Sequence, residues 1–126
     1  MLRRSILLLI GTCLFGCSGG SVVEEADVAL MADLRCEAQQ LKDKRFKIAN
    51  DLRFRNDSLA KLNIPLTYLQ KQEEDSIRQW LTLRTGEVAD RLTHTMDSLF
   101  KIHYKTVEQR QVFDVAVEKK VQEICE

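Results

Sequence analysis

One proline, Pro65, stands between two stretches whose apolar residues fall at helical spacings, and this restricts the chain to a few shapes. From about Ala26 to Leu62 the apolar residues follow a seven-residue rhythm. Met31, Ala38, Leu52 and Leu59 form one row, and Leu34, Leu41, Ile48 and Leu62 form the other. Steps of three and four residues line such side chains along one stripe of a helix, as in a coiled coil. Arg45 and Arg55 interrupt the seam. Asn63-Ile64-Pro65 ends it, because proline lacks an N–H and clashes inside a helix but is tolerated in the first turn of the next. Thr67-x-x-Gln70 then has the spacing of a capping box.

Beyond the turn the period changes. Ile77, Val88, Leu99 and Val121 lie on an eleven-residue grid in which Arg110 fills the missing place. Trp80, Ile102, Phe113 and Ile124 lie on a second grid, with Arg91 as its exception. An eleven-residue repeat keeps one stripe aligned along a long, nearly straight helix. The pattern predicts mainly one helix from Gln72 to Ile124, with Thr85-Gly86 as the place for a kink. Asp57-Ser58-Leu59, Asp75-Ser76-Ile77 and Asp97-Ser98-Leu99 echo one another near whole numbers of turns, each turning its third residue to the stripe.

The expected fold class is all-α: a long antiparallel helical hairpin, coiled-coil-like, turning at residues 63 to 65. Its second arm outruns the first by roughly 30 Å at the helical rise. That overhanging apolar stripe needs a cover. Either the last twenty or so residues fold back as a third helix, or another subunit supplies it. Composition agrees: of 126 residues 44% are apolar and 30% charged, with five glycines, too few turn residues for an all-β domain.

The first residues carry a different message. Met1-Leu2-Arg3-Arg4 is a short positive start, and Ile6 to Ile10 opens an apolar run reaching Phe15. This is far short of the roughly 20 residues of a permanent membrane span, and has the form of an export signal. Leu14-Phe15-Gly16-Cys17 resembles the lipobox of bacterial lipoproteins: an aliphatic residue, a variable one, a small one and a cysteine. The resemblance covers about 17 residues, and Phe15 departs from the usual small or modest side chain. It implies cleavage by signal peptidase II between Gly16 and Cys17, with a diacylglyceryl group and further acylation on Cys17. No other cofactor is implied. Each buried methylene contributes about 0.8 kcal/mol, so two or three acyl chains hold a protein to a bilayer without a transmembrane helix.

The implied organisation is a signal peptide over 1–16, a lipidated N-terminus and flexible tether over 17–25, and a helical domain over 26–126. Ser18-Gly19-Gly20-Ser21 supplies the tether. Ser18 follows Cys17 where some inner-membrane lipoproteins carry aspartate, so the resemblance favours an outer membrane, facing the periplasm, if the source has one. Murein lipoproteins share the anchor-plus-helix plan but end in a lysine joined to peptidoglycan. The ending Ile124-Cys125-Glu126 predicts no such attachment.

With Cys13 lost and Cys17 acylated, Cys36 and Cys125 remain. Outside the cytoplasm such a pair tends to oxidise. In a plain hairpin Cys125 lies tens of ångströms from Cys36, too far for a bond. A fold-back near His103 to Thr106 would bring the two level. An intramolecular bond, an interchain bond and free thiols therefore all stay open, and the disulfide and the fold-back are one question.

Charge and motif content exclude more than they assign. Loss of Arg3 and Arg4 leaves 17 basic residues against 19 acidic ones, so nothing favours nucleic acid, whose binding rests on phosphate neutralisation. Lys42 to Lys61 holds seven bases and three acids and reads as a solvated face, as opposed to a contact for lipid headgroups or glycan. His94, with Asp90 and Asp97 within a turn, offers too few convergent ligands, and no metal site is expected. No phosphate loop or paired-cysteine motif occurs, so no catalytic residue is assigned and no enzyme activity is expected. Phe46, Phe54, Tyr68, Trp80, Phe100, Tyr104 and Phe113 read as core or seam. The functional expectation is a membrane-anchored envelope lipoprotein that binds another envelope protein, or itself, through an exposed apolar stripe. The alternative is a small-ligand-binding or inhibitor lipoprotein with a groove between its helices.

Overall fold

The computed structural model describes residues 22–125, and it is all-α. The lipobox residues Leu14–Cys17 and the tether Ser18–Ser21 lie outside the described residues. Three helices follow in order: α1 over Glu25–Lys61, α2 over Tyr68–Ile102 and α3 over Val107–Cys125. They form the hairpin with its third helix folded back. Among the described residues no helix is long and apolar enough to cross a membrane.

The hairpin turn is built from local chemistry. Asn63 takes a left-handed backbone, with φ of 56°, a conformation asparagine tolerates better than most residues. The Asn63 N–H then donates to the Ala60 carbonyl and the Ile64 N–H to that of Leu59, at 3.0 and 2.9 Å. This pair of bonds is a Schellman close, which satisfies carbonyls that would otherwise be left open at the helix end. Pro65 lies in the link after it, not in the first turn of α2. Thr67 caps α2: its hydroxyl accepts from the Gln70 N–H at 3.2 Å, and the Gln70 side chain accepts from the Thr67 N–H at 2.8 Å.

The expected single helix from Gln72 to Ile124 is corrected. Gly86 leaves α2 unbroken, and the break comes at 103–106 instead. There Thr106 and Gln109 form a second reciprocal cap, at 3.2 and 3.0 Å, and Gln109 also accepts from the Lys105 N–H at 2.8 Å. Arg110, the cation on the apolar grid, closes the turn. Its Nε donates to the Tyr104 carbonyl at 3.0 Å, and its guanidinium lies 4.8 Å from the Phe100 ring centre.

Two clusters hold the helices. The larger joins all three: Val28, Met31 and Ala32 of α1 meet Leu99, Tyr104, Phe113 and Val117. Phe113 is fully buried, stacked on Tyr104 with centres 4.3 Å apart and edge-on to Phe100 at 6.3 Å. The smaller cluster joins α1 and α2 alone, through Leu41, Leu81 and Val88. A disulfide between Cys36 and Cys125, with Cα atoms 5.7 Å apart, ties the end of α3 to α1.

The aromatic expectation fails at four places. Phe46, Phe54, Tyr68 and Trp80 are all exposed, and so are Ile102 and Ile124 from the second grid. The physical reason is the break at 103–106. Once α3 turns back it covers α1 near residues 28–36, and the rest of the hairpin keeps only two layers, too thin to bury both flanks of either helix.

Candidate interaction groove

The seat of α3 runs on past the helix that fills it. On α1, Met31, Arg35, Ala38, Lys42, Arg45, Ala49 and Leu52 succeed one another at steps of four and three, and so lie on one stripe. On α2, Phe100, Met96, Leu92, Ala89, Thr85, Thr82 and Arg78 do the same. α3 covers the end of this valley nearest residue 22, where Met31, Met96 and Phe100 pack into the three-helix cluster. Next comes a small recess of about 130 Å³ walled by Ala38, Leu41, Thr85, Val88 and Leu92. Beyond it the valley widens to about 640 Å³, with a floor of Ile48, Ala49, Leu52 and Leu81 and rims carrying Lys42, Arg45, Phe46 and Arg78.

The other flank of the hairpin is closed by ion pairs. Glu37 takes bonds from both Arg84 and Arg91, the latter at 3.0 Å. Arg55 reaches Glu74 and Glu73, and the Arg55 guanidinium hydrogen-bonded to Glu74 holds that carboxyl below its ordinary range. Lys44 sits 4.5 Å over Trp80. The seam-breaking Arg55 and the grid-breaking Arg91 thus have partners across the hairpin. Arg45 does not: no ion pair with a described residue engages it or Lys42. The groove is therefore the flank of the hairpin that lacks a lid.

No protein-family model matches the chain, and no curated protein or solved structure is significantly similar to it.

His94 stays exposed on α2 and converges with no metal-ligating group among the described residues. The fold does bring together Glu24, Asp27 and His103, a group that no local spacing reveals because His103 lies 76 residues beyond Asp27. Asp27 and His103 are already engaged with each other. His103 Nδ1 lies 2.6 Å from Asp27 Oδ2, the Tyr104 hydroxyl donates to the same oxygen at 3.0 Å, and the Glu24 N–H donates to that hydroxyl at 3.1 Å. Two ligand atoms bound to one metal at about 2.0–2.1 Å stand wider apart than this contact. The start of α1 also presents the positive end of a helix dipole, which repels a cation. The cluster is a latch between the fold-back turn and α1.

That latch is pH-dependent. The hydrogen bond to Asp27 raises His103 above its ordinary 6.5, while burial keeps the Tyr104 phenol protonated and donating. A group whose pKa is raised by folding stabilises the fold below its unfolded value and loses that contribution as pH rises through the folded one. Stability is therefore expected to fall as pH climbs from 6.5 through the raised value. Chemical denaturation across that window checks this. His103→Gln should flatten the slope, and an unchanged slope would remove the latch from the account.

Proposed function

We propose that the protein is a lipid-anchored envelope lipoprotein that acts as an adaptor, holding a partner in the groove between α1 and α2. The observation that carries this reading is the continuation of the α3 seat, apolar-floored and uncovered, along the hairpin. Leu14-Phe15-Gly16-Cys17 supports the anchor, with acyl chains on Cys17. The groove centre near Arg45 lies about 30 Å along α1 from Glu25, so the tether over 17–25 would leave it clear of the bilayer.

A groove of 640 Å³ also favours, second, the small-ligand reading. That reading is weaker, because among the described residues Phe46 is the only aromatic in the lining and the site is an open trough. Small-molecule sites enclose most of their ligand.

Two experiments test the proposal. Cys17→Ser is expected to abolish fatty-acid incorporation and move the protein from the membrane to the soluble fraction. Unchanged partitioning would remove the anchor. Photocrosslinkers placed at Ala49 and Thr82, in the groove, are expected to capture an envelope protein that one at Ser76, exposed on the far flank of α2, does not. Equal capture from all three positions would remove the groove from the account.

A further inference from the structure

Resting on the adaptor reading, we infer that the partner enters the groove as an amphipathic helix whose flanks carry carboxylates. α3 itself is the template. It packs chiefly on α1 along the same flank and meets α2 through Leu99 and Phe100, with Phe113 and Val117 turned inward, and it presents Asp114 and Glu118, one turn apart, to Arg35 at the rim, at 2.8 and 3.9 Å. Lys42 stands one heptad beyond Arg35 on that rim, and Arg45 lies three residues further. A helix continuing the path of α3 thus meets the next cations in the register in which α3 met the first.

The size and charge of the trough agree. Ala38 to Leu52 spans about 21 Å, room for four turns of helix. Its rims carry Lys42, Arg45 and Arg78 against Asp43; Arg78 lies 4.0 Å from Glu74, whereas Lys42 and Arg45 have no carboxylate partner among the described residues. A second copy is a poor occupant of this groove, because two such rims facing each other set like charges together. A lipid surface fits poorly as well: the apolar floor is concave, and a flat bilayer does not reach it.

The test uses the full chain in neutral detergent and two fluorescein-labelled helical peptides of equal length. Both carry one leucine–alanine face; one is flanked by glutamates, the other by lysines. The glutamate peptide is expected to bind at least about tenfold more tightly, since pairs gained by one become repulsions in the other. Its binding should weaken with added salt and disappear in Ala49→Trp, which fills the floor. Lys42→Glu with Arg45→Glu should reverse the preference, with helical content and the Cys36–Cys125 bond retained as evidence of folding. Equal binding of the two peptides, or a preference that survives the charge reversal, overturns the inference. So does binding to phosphatidylglycerol vesicles that the reversal abolishes while the peptides go unbound. If groove crosslinks form in cells and the peptides show no preference, the acidic helix falls and the adaptor reading stands. If the glutamate peptide binds as expected while no groove crosslink forms, the acidic-helix site stands and the envelope partner falls.

Discussion

Replacing Cys36 and Cys125 by alanine is expected to lower the unfolding free energy by about 4–5 kcal/mol, the loop-closure value for a crosslink of this span. The two residues are 89 positions apart, so the bond restrains nearly the whole described chain in its unfolded state. A domain of this size has only about 5–15 kcal/mol in total, and the loss would leave it close to unfolding. The effect should show first in α3, whose last residue the bond holds to α1. Urea titrations of the oxidised protein and the double variant measure the total, and hydrogen exchange locates it. A difference below about 1 kcal/mol would mean that the unfolded chain is already compact around this pair, or that packing alone seats α3.

The elements that sequence reasoning recovers are those whose signal is local. The seven-residue rows of α1 appear as its buried stripe, with Met31, Leu34, Leu41 and Leu52 all buried. Leu62, last in its row, is exposed because it lies past the end of the helix, where the turn has begun. The cap at Thr67 follows directly from Thr-x-x-Gln. The same spelling recurs at Thr106-Val107-Glu108-Gln109, and there it starts α3. That second cap was legible, but the eleven-residue grid hid it, because a regular apolar period continues across a break that preserves its phase. The fold-back itself could be argued only indirectly, from the uncovered overhang of the second arm and from the distance between two cysteines.

The groove was legible only in part. Arg45 stood out as an interruption of the seam, yet so did Arg55, and the sequence does not tell them apart. What separates them is the carboxylate across the hairpin: Glu74 for Arg55, and for Arg45 none among the described residues. Likewise Phe46 reads as core until one knows that α3 stops short of it. Where a third helix ends decides which apolar residues are core and which are surface, and that is a tertiary fact. The Asp27–His103–Tyr104 latch has the same origin, since it depends on the turn at 103–106 meeting the start of α1.

Phe113→Ala is the second large effect, at about 3–5 kcal/mol for a buried aromatic cut back to a methyl group. Phe113 is fully buried between Tyr104 and Phe100, and it joins α3 to both other helices. Its removal leaves a void that Tyr104 cannot relax into without giving up the bonds to Asp27 and Glu24. Phe113 and the disulfide hold the same helix from different points, so their effects should not add. With the bond intact, α3 stays tethered and refills part of the void, and the cost should lie near the lower end of the range. Once the cysteines are gone, α3 has little beyond this cluster to seat it, and the larger part of the loss from Phe113→Ala should appear as detachment of α3 alone. A double-mutant cycle measured by urea titration, with exchange of α3 amides followed separately, distinguishes the cases. Simple additivity of the two changes would show that Phe113 and Cys125 stabilise independent parts of the molecule. The account of α3 as one cooperative lid over the closed end of the groove would then have to be given up.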